Sequence, residues 1–95
     1  MIDEGKLNEA AVRGARAEEL LQNELLKESF LVLREKYTES WTRSEPHERE
    51  LREYLWKSLQ VLTDVENHIT KIANNGRMAK HELELMAARQ KPSRA

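Results

Sequence analysis

Residues 51–72 read LREYLWKSLQVLTDVENHITKI, and Leu51, Leu55, Ser58, Leu62, Val65, Ile69 and Ile72 within them follow an unbroken 4-3-4-3-4-3 spacing. That alternation returns a side chain to the same helix face at every turn. Every member but Ser58 is aliphatic, so the stretch predicts a helix with an apolar heptad seam. A seam this long has to be covered by other helices, which makes helix pairing the organising interaction of the chain.

Outward from the seam, breakers bound the helix on both sides. Pro46 disfavours helical backbone at Glu45 and is tolerated in a first helical turn, with Ser44 as the expected N-cap. Downstream, Asn74-Asn75-Gly76 reads as a stop, Gly76 taking the left-handed conformation that closes a helix. The predicted helix runs over about 46–74, roughly 43 Å at ~1.5 Å per residue. Before it, Leu26, Phe30, Leu33, Tyr37 and Trp41 form a second seam, spaced 4-3-4-4. The link between the seams is short, so an antiparallel hairpin is expected, with a helix over 24–43 as its other arm.

The first seam does not continue upstream of Leu26, where Asn23, Glu19 and Arg16 are polar. A different line, Ala10, Gly14, Ala17 and Leu21, is small and apolar. Asn23 is placed to cap a restarted helix, so residues 8–22 are read as a separate or kinked helix whose small face admits another backbone. After Gly76, Met78/Ala79, Leu83 and Met86/Ala87 predict a short amphipathic helix over 77–90. Residues 1–7 and 92–95 are read as flexible ends. The fold class is therefore all-α: a long antiparallel hairpin with short N- and C-terminal flanking helices in one domain over 8–91.

Composition narrows the function classes. The chain has 95 residues, no cysteine and only 5% aromatic residues, and its 35% charged residues sum to a net charge of −1. A core this small, without disulfides, is ordinarily supplemented by oligomerisation or docking onto a partner. No apolar run approaches the ~20 residues of a membrane span and no signal-peptide pattern opens the chain, so a soluble intracellular protein is expected. Near-neutral charge gives no general drive toward nucleic acid. Five basic residues (Arg77, Lys80, Arg89, Lys91 and Arg94) against two acidic ones after Gly76 nevertheless mark a candidate phosphate-contacting segment.

Chemical motifs are absent. His47-Glu48 and His81-Glu82 begin like a zinc-protease helix, but Leu51 and Leu85 stand where the second histidine is required. His68 flanks the seam and reads as a partly exposed side chain. There is no nucleophile motif or phosphate-binding glycine loop, and the carboxylates neighbour Lys or Arg as solvated helix faces do. No enzyme activity, catalytic residue, metal site or cofactor is predicted. Trp41 is assigned to the hairpin core near the turn. Trp56 and Leu59 widen the apolar face of the long helix beyond what one partner helix covers. They are assigned, with Gly14, Ala17 and Leu21, to an interface with another chain.

The succession Arg13-Gly14-x-Arg16-Ala17-x-x-Leu20-Leu21, Leu25-Leu26-Lys27-Glu28-x-Phe30, Tyr37-x-x-x-Trp41, Arg52-Glu53-x-Leu55-Trp56 and Gly76-x-x-Ala79 resembles small helical proteins of tailed phages and prophages, encoded among head-assembly and DNA-packaging genes. These are packing and turn positions over residues 13–85, without a chemical signature. The resemblance implies a role in virion assembly or packaging, in the host cytoplasm or the virion, and assigns no site residue. The expected function is a non-enzymatic assembly protein that binds itself or a larger protein. The alternative is a small DNA-binding packaging factor of the small-terminase type.

Overall fold

The computed structural model describes residues 3–90, which form three helices and no strand: α1 (Glu4–Gln22), α2 (Glu24–Arg43) and α3 (Arg49–Gln90). No described helix is long and apolar enough to cross a membrane. The chain divides into two compact units, one of Leu21–His68 and one pairing the N-terminal segment to Leu20 with the segment from Ile69 onward.

Helix α1 starts inside the stretch expected to be flexible. Asp3 caps it: its Oδ1 accepts from Lys6 N at 3.2 Å and its carbonyl from Leu7 N at 3.1 Å. The break after α1 is at Asn23, as the seam phases require. Leu7, Ala10, Gly14, Ala17 and Leu21 keep a 3-4-3-4 rhythm, but Leu21 to Leu26 is five residues, a step no single helix face accommodates. Asn23 leaves the helical region at φ −69°, ψ 118°, and its Oδ1 accepts from Leu26 N at 2.9 Å. One residue of extended backbone thereby resets the apolar face.

The α2–α3 turn uses Ser44 and Pro46 differently from the sequence expectation. Ser44 caps the end of α2, its N–H donating to Trp41 O at 3.1 Å and its hydroxyl to the same carbonyl at 2.6 Å. Pro46 occupies the second position of a tight turn in which Glu48 N donates to Glu45 O at 2.9 Å, a place its fixed φ suits. Helix α3 therefore begins at Arg49 rather than Pro46. Glu48 caps it through its carbonyl, which accepts from Arg52 N at 3.0 Å, while its carboxylate reaches back to Glu45 N at 2.7 Å. Arg52 ties the turn to the helices: Nε donates to Ser44 Oγ at 2.8 Å and the guanidinium lies 4.8 Å from the Trp41 ring centroid.

The largest correction concerns Gly76. It does not end a helix; α3 is continuous over 42 residues, no glycine has positive φ, and the expected helices over 46–74 and 77–90 are one. The physical reason is the seam itself. Beyond Ile72 the 4-3 spacing continues through Gly76, Ala79, Leu83 and Met86, all buried or half-buried. Gly76 is a seam position, and Asn74 and Asn75 are exposed helical residues beside it.

In the Leu21–His68 unit, α2 and the first part of α3 run antiparallel. Leu55 and Leu62 are buried; Leu26, Phe30, Tyr37, Ser58 and Leu59 are half-buried. In the other unit α1 crosses the second part of α3 at a pair of glycines. A Cβ on Gly14 would lie 2.4 Å from Gly76 Cα, and one on Gly76 would lie 2.9 Å from Ala10 O, so the two backbones touch. Ala17, Ala73 and Ala79 are buried around this crossing. An ion pair between Glu18 and Arg77 lies at its edge.

Candidate protein interface

The Leu21–His68 unit has two unlike flanks, set by heptad position. On one, Arg34 of α2 pairs with Glu66 of α3 and lies 3.5 Å from Thr63 Oγ1, and Arg52 stacks over Trp41. Long polar side chains thus roof this flank. Trp56 stands exposed at its outer edge, one helical step beyond half-buried Leu59.

The opposite flank has no such roof. Tyr37, Tyr54, Lys57, Ser58, Val61 and Leu62 line an open groove of about 290 Å³ between α2 and α3. Leu51 and Val65 lie one heptad either side of Ser58 and share its face. Leu33 sits on the flank of α2 away from Arg34. All three are exposed, as are Tyr54 and Val61. Leu51, Tyr54, Ser58, Val61 and Val65 are spaced 3-4-3-4, so α3 carries a second heptad seam beside the first, sharing Leu51, Ser58 and Val65. A helix with two adjacent seams has room for two partners, and α2 occupies one.

Of the residues assigned to an interface from sequence, Gly14 and Ala17 belong to one unit and Leu21, Trp56 and Leu59 to the other. Gly14 and Ala17 do admit a backbone, but it is that of the chain's own α3, so this small-residue face is closed within the chain. Leu21 is half-buried at the end of α1. Trp56 is exposed, as an interface residue would be, and lies across α3 from Tyr54 and Val61, away from the groove. That second seam could have been found by asking which apolar residues keep 3-4 spacing with Leu51, Ser58 and Val65 once Leu55 and Leu62 are left out.

Among the described residues the basic candidates do not share one face of α3. Arg77 is engaged by Glu18 and also donates to Asn74 Oδ1 at 3.1 Å. Lys80 is exposed nearby, whereas Arg89 falls on another face of α3 by its heptad position. Lys91, Arg94 and the expected flexible tail over 92–95 lie outside the described residues. Among the described residues no three His, Cys, Asp or Glu side chains gather as a metal site. His47 is in the turn, and His68 and His81 are exposed on α3. No protein family, curated protein or solved structure matches this chain.

Proposed function

We propose that this protein is a non-enzymatic structural or assembly protein that acts through helix–helix contacts, in the first place with copies of itself. The observation that carries the reading is the distribution of apolar side chains. Leu55 and Leu62 are the only large apolar residues buried among those described, the rest of the buried set being alanine and glycine, while fourteen large apolar residues stand exposed. Two buried leucines contribute about 1.5–3 kcal/mol each, a small core for a chain of this length. Coiled-coil pairing of seam-bearing helices between chains supplies the missing burial. The phage head-assembly setting, in the host cytoplasm or the virion, rests on the sequence resemblance alone.

Light scattering on the purified protein, with and without duplex DNA at low salt, tests this reading. A stable multiple of 11.1 kDa that DNA leaves unchanged is expected. A monomer at every concentration overturns self-assembly. Complexes with DNA that vanish steeply as salt rises would favour the small-terminase-type role instead.

A further inference from the structure

We propose that the second seam of α3 is a homodimer interface. On this face a second copy docks antiparallel, α3 against α3, so that the two α2–α3 hairpins close into a four-helix bundle. The proposal rests on the self-assembly reading above and specifies its face, orientation and register.

The area fits such a partner. Leu33, Leu51, Tyr54, Val61 and Val65 are 36%, 42%, 61%, 59% and 44% exposed. Together they present on the order of 400 Å² of mainly apolar surface, the size of patch that is often functional on a soluble protein. Tyr37, Ser58 and the flanking charges extend the face toward the half-share of about 800 Å² per copy that a standard stable interface buries. The 3-4-3-4 spacing asks for a helix with the same spacing, and α3 of a second copy has it.

Charge then selects the orientation. Next to the Tyr54–Val61 line runs a strip of residues one heptad apart: Glu50, Lys57, Asp64 and Lys71, alternating acidic and basic. In heptad terms Leu51, Ser58 and Val65 are a positions, Tyr54, Val61 and His68 are d positions, and the strip is g. The other flank, e, begins with Leu55 and Leu62, the buried apolar side toward α2. A parallel dimer would set the charged g strip against that apolar e flank. An antiparallel dimer sets g against g, and a strip that alternates in sign is complementary to its own reverse.

The register follows from the same residues. Placing Ser58 opposite the second copy's Val61, and Tyr54 opposite its Val65, brings Lys57 to Asp64 and Glu50 to Lys71 across the dyad. Sliding one heptad either way sets Lys57 against itself or against Lys71, and Asp64 against Glu50 or against itself. Of these three registers only the first is attractive throughout, and slides of two heptads keep fewer of the apolar layers in contact. Lys57 is 3.1 Å from Glu53 within its own helix, a solvent-exposed pair that leaves its remaining donors free for a second partner.

The test is the dimer dissociation constant of four variants, measured by sedimentation at matched salt, with helical content followed by circular dichroism. Val61→Asp alters an exposed side chain of the single chain but puts a carboxylate at the dyad. It is expected to weaken dimerisation by about 100-fold or more. Lys57→Asp is expected to weaken it about tenfold, since two attractive pairs become repulsive. Adding Asp64→Lys to Lys57→Asp is expected to recover the wild-type constant within about threefold, because positions 57 and 64 again face each other across the dyad with opposite charges. Both of these variants lose the Glu53–Lys57 pair, so their comparison isolates the contact between chains. Trp56→Ala, on the roofed flank, is expected to leave the dimer intact. A Val61→Asp chain that stays dimeric, or a charge swap no tighter than Lys57→Asp alone, overturns the proposal. Dissociation by Trp56→Ala but not by Val61→Asp would keep self-assembly while moving it to the other flank. A wild-type monomer would remove the functional reading itself.

Discussion

Replacing Gly76 with alanine should destabilise the protein even though it improves the helix. In an ordinary helix interior the change gains about 1 kcal/mol of propensity. At position 76 the added Cβ would stand 2.4 Å from Gly14 Cα and 2.9 Å from Ala10 O. Carbon–carbon contact is optimal near ~3.5–4.0 Å, so α1 and α3 must separate by more than an ångström at the crossing. Both clashing groups are backbone and cannot rotate aside. The cost of overpacking therefore sits toward the upper end of about 1–3 kcal/mol, for a net loss of about 1–2 kcal/mol. Asn75, the exposed neighbour, supplies the control: Asn75→Ala should gain about 0.5 kcal/mol from propensity alone. Urea unfolding followed by circular dichroism, at one fixed protein concentration, measures both. Adjacent alanine substitutions should move the midpoint in opposite directions. A Gly76→Ala midpoint that rises with that of Asn75→Ala would refute the close crossing. The Gly14→Ala, Gly76→Ala double variant should lose less than the sum of the singles, since helices already forced apart accept the second methyl more cheaply.

Two further substitutions test the remaining packing and the helix break. Leu55→Ala empties the best-buried large side chain and should cost about 2–4 kcal/mol in the same urea experiment; a loss below about 1 kcal/mol would mean that the Leu55 seam is not the core of the hairpin. Asn23→Ala removes the α2 cap and should cost about 1 kcal/mol, whereas Asn23→Asp should keep most of the stability. Equal losses for the two would show that the side-chain oxygen of Asn23 is not what starts α2.

Much of this architecture is legible in the sequence because apolar spacing dictates it. The mismatch between Leu21 and Leu26 requires a break, and Asn23 is the capping residue available there. The turn between Arg43 and Arg49 follows from Pro46, although whether a proline opens a helix or sits in the preceding turn depends on where the next carbonyls find donors. Gly76 misleads for a definite reason. Asn-Asn-Gly has the composition of a helix stop, and a glycine in a seam carries no hydrophobicity to reveal that the 4-3 rhythm continues to Met86. Its partner Gly14 is 62 residues away in sequence, so neither glycine announces the other. The candidate interface is harder to read. Tyr54 and Trp56 are two residues apart and look like one apolar patch, yet they project to opposite flanks of α3. Which flank stays open is decided by the roof of Arg34 on Glu66 and Arg52 on Trp41, contacts between helices that no local pattern encodes.

The central claim is that folding of this chain is completed by a second copy, and the dependence of its urea midpoint on protein concentration tests that most directly. If unfolding is also dissociation of a dimer, each tenfold dilution lowers the stability by about 1.4 kcal/mol per dimer and the midpoint falls steadily. A midpoint that stays constant on dilution, with unfolding still cooperative and helical content unchanged, would show that the chain is stable alone and contradict the account.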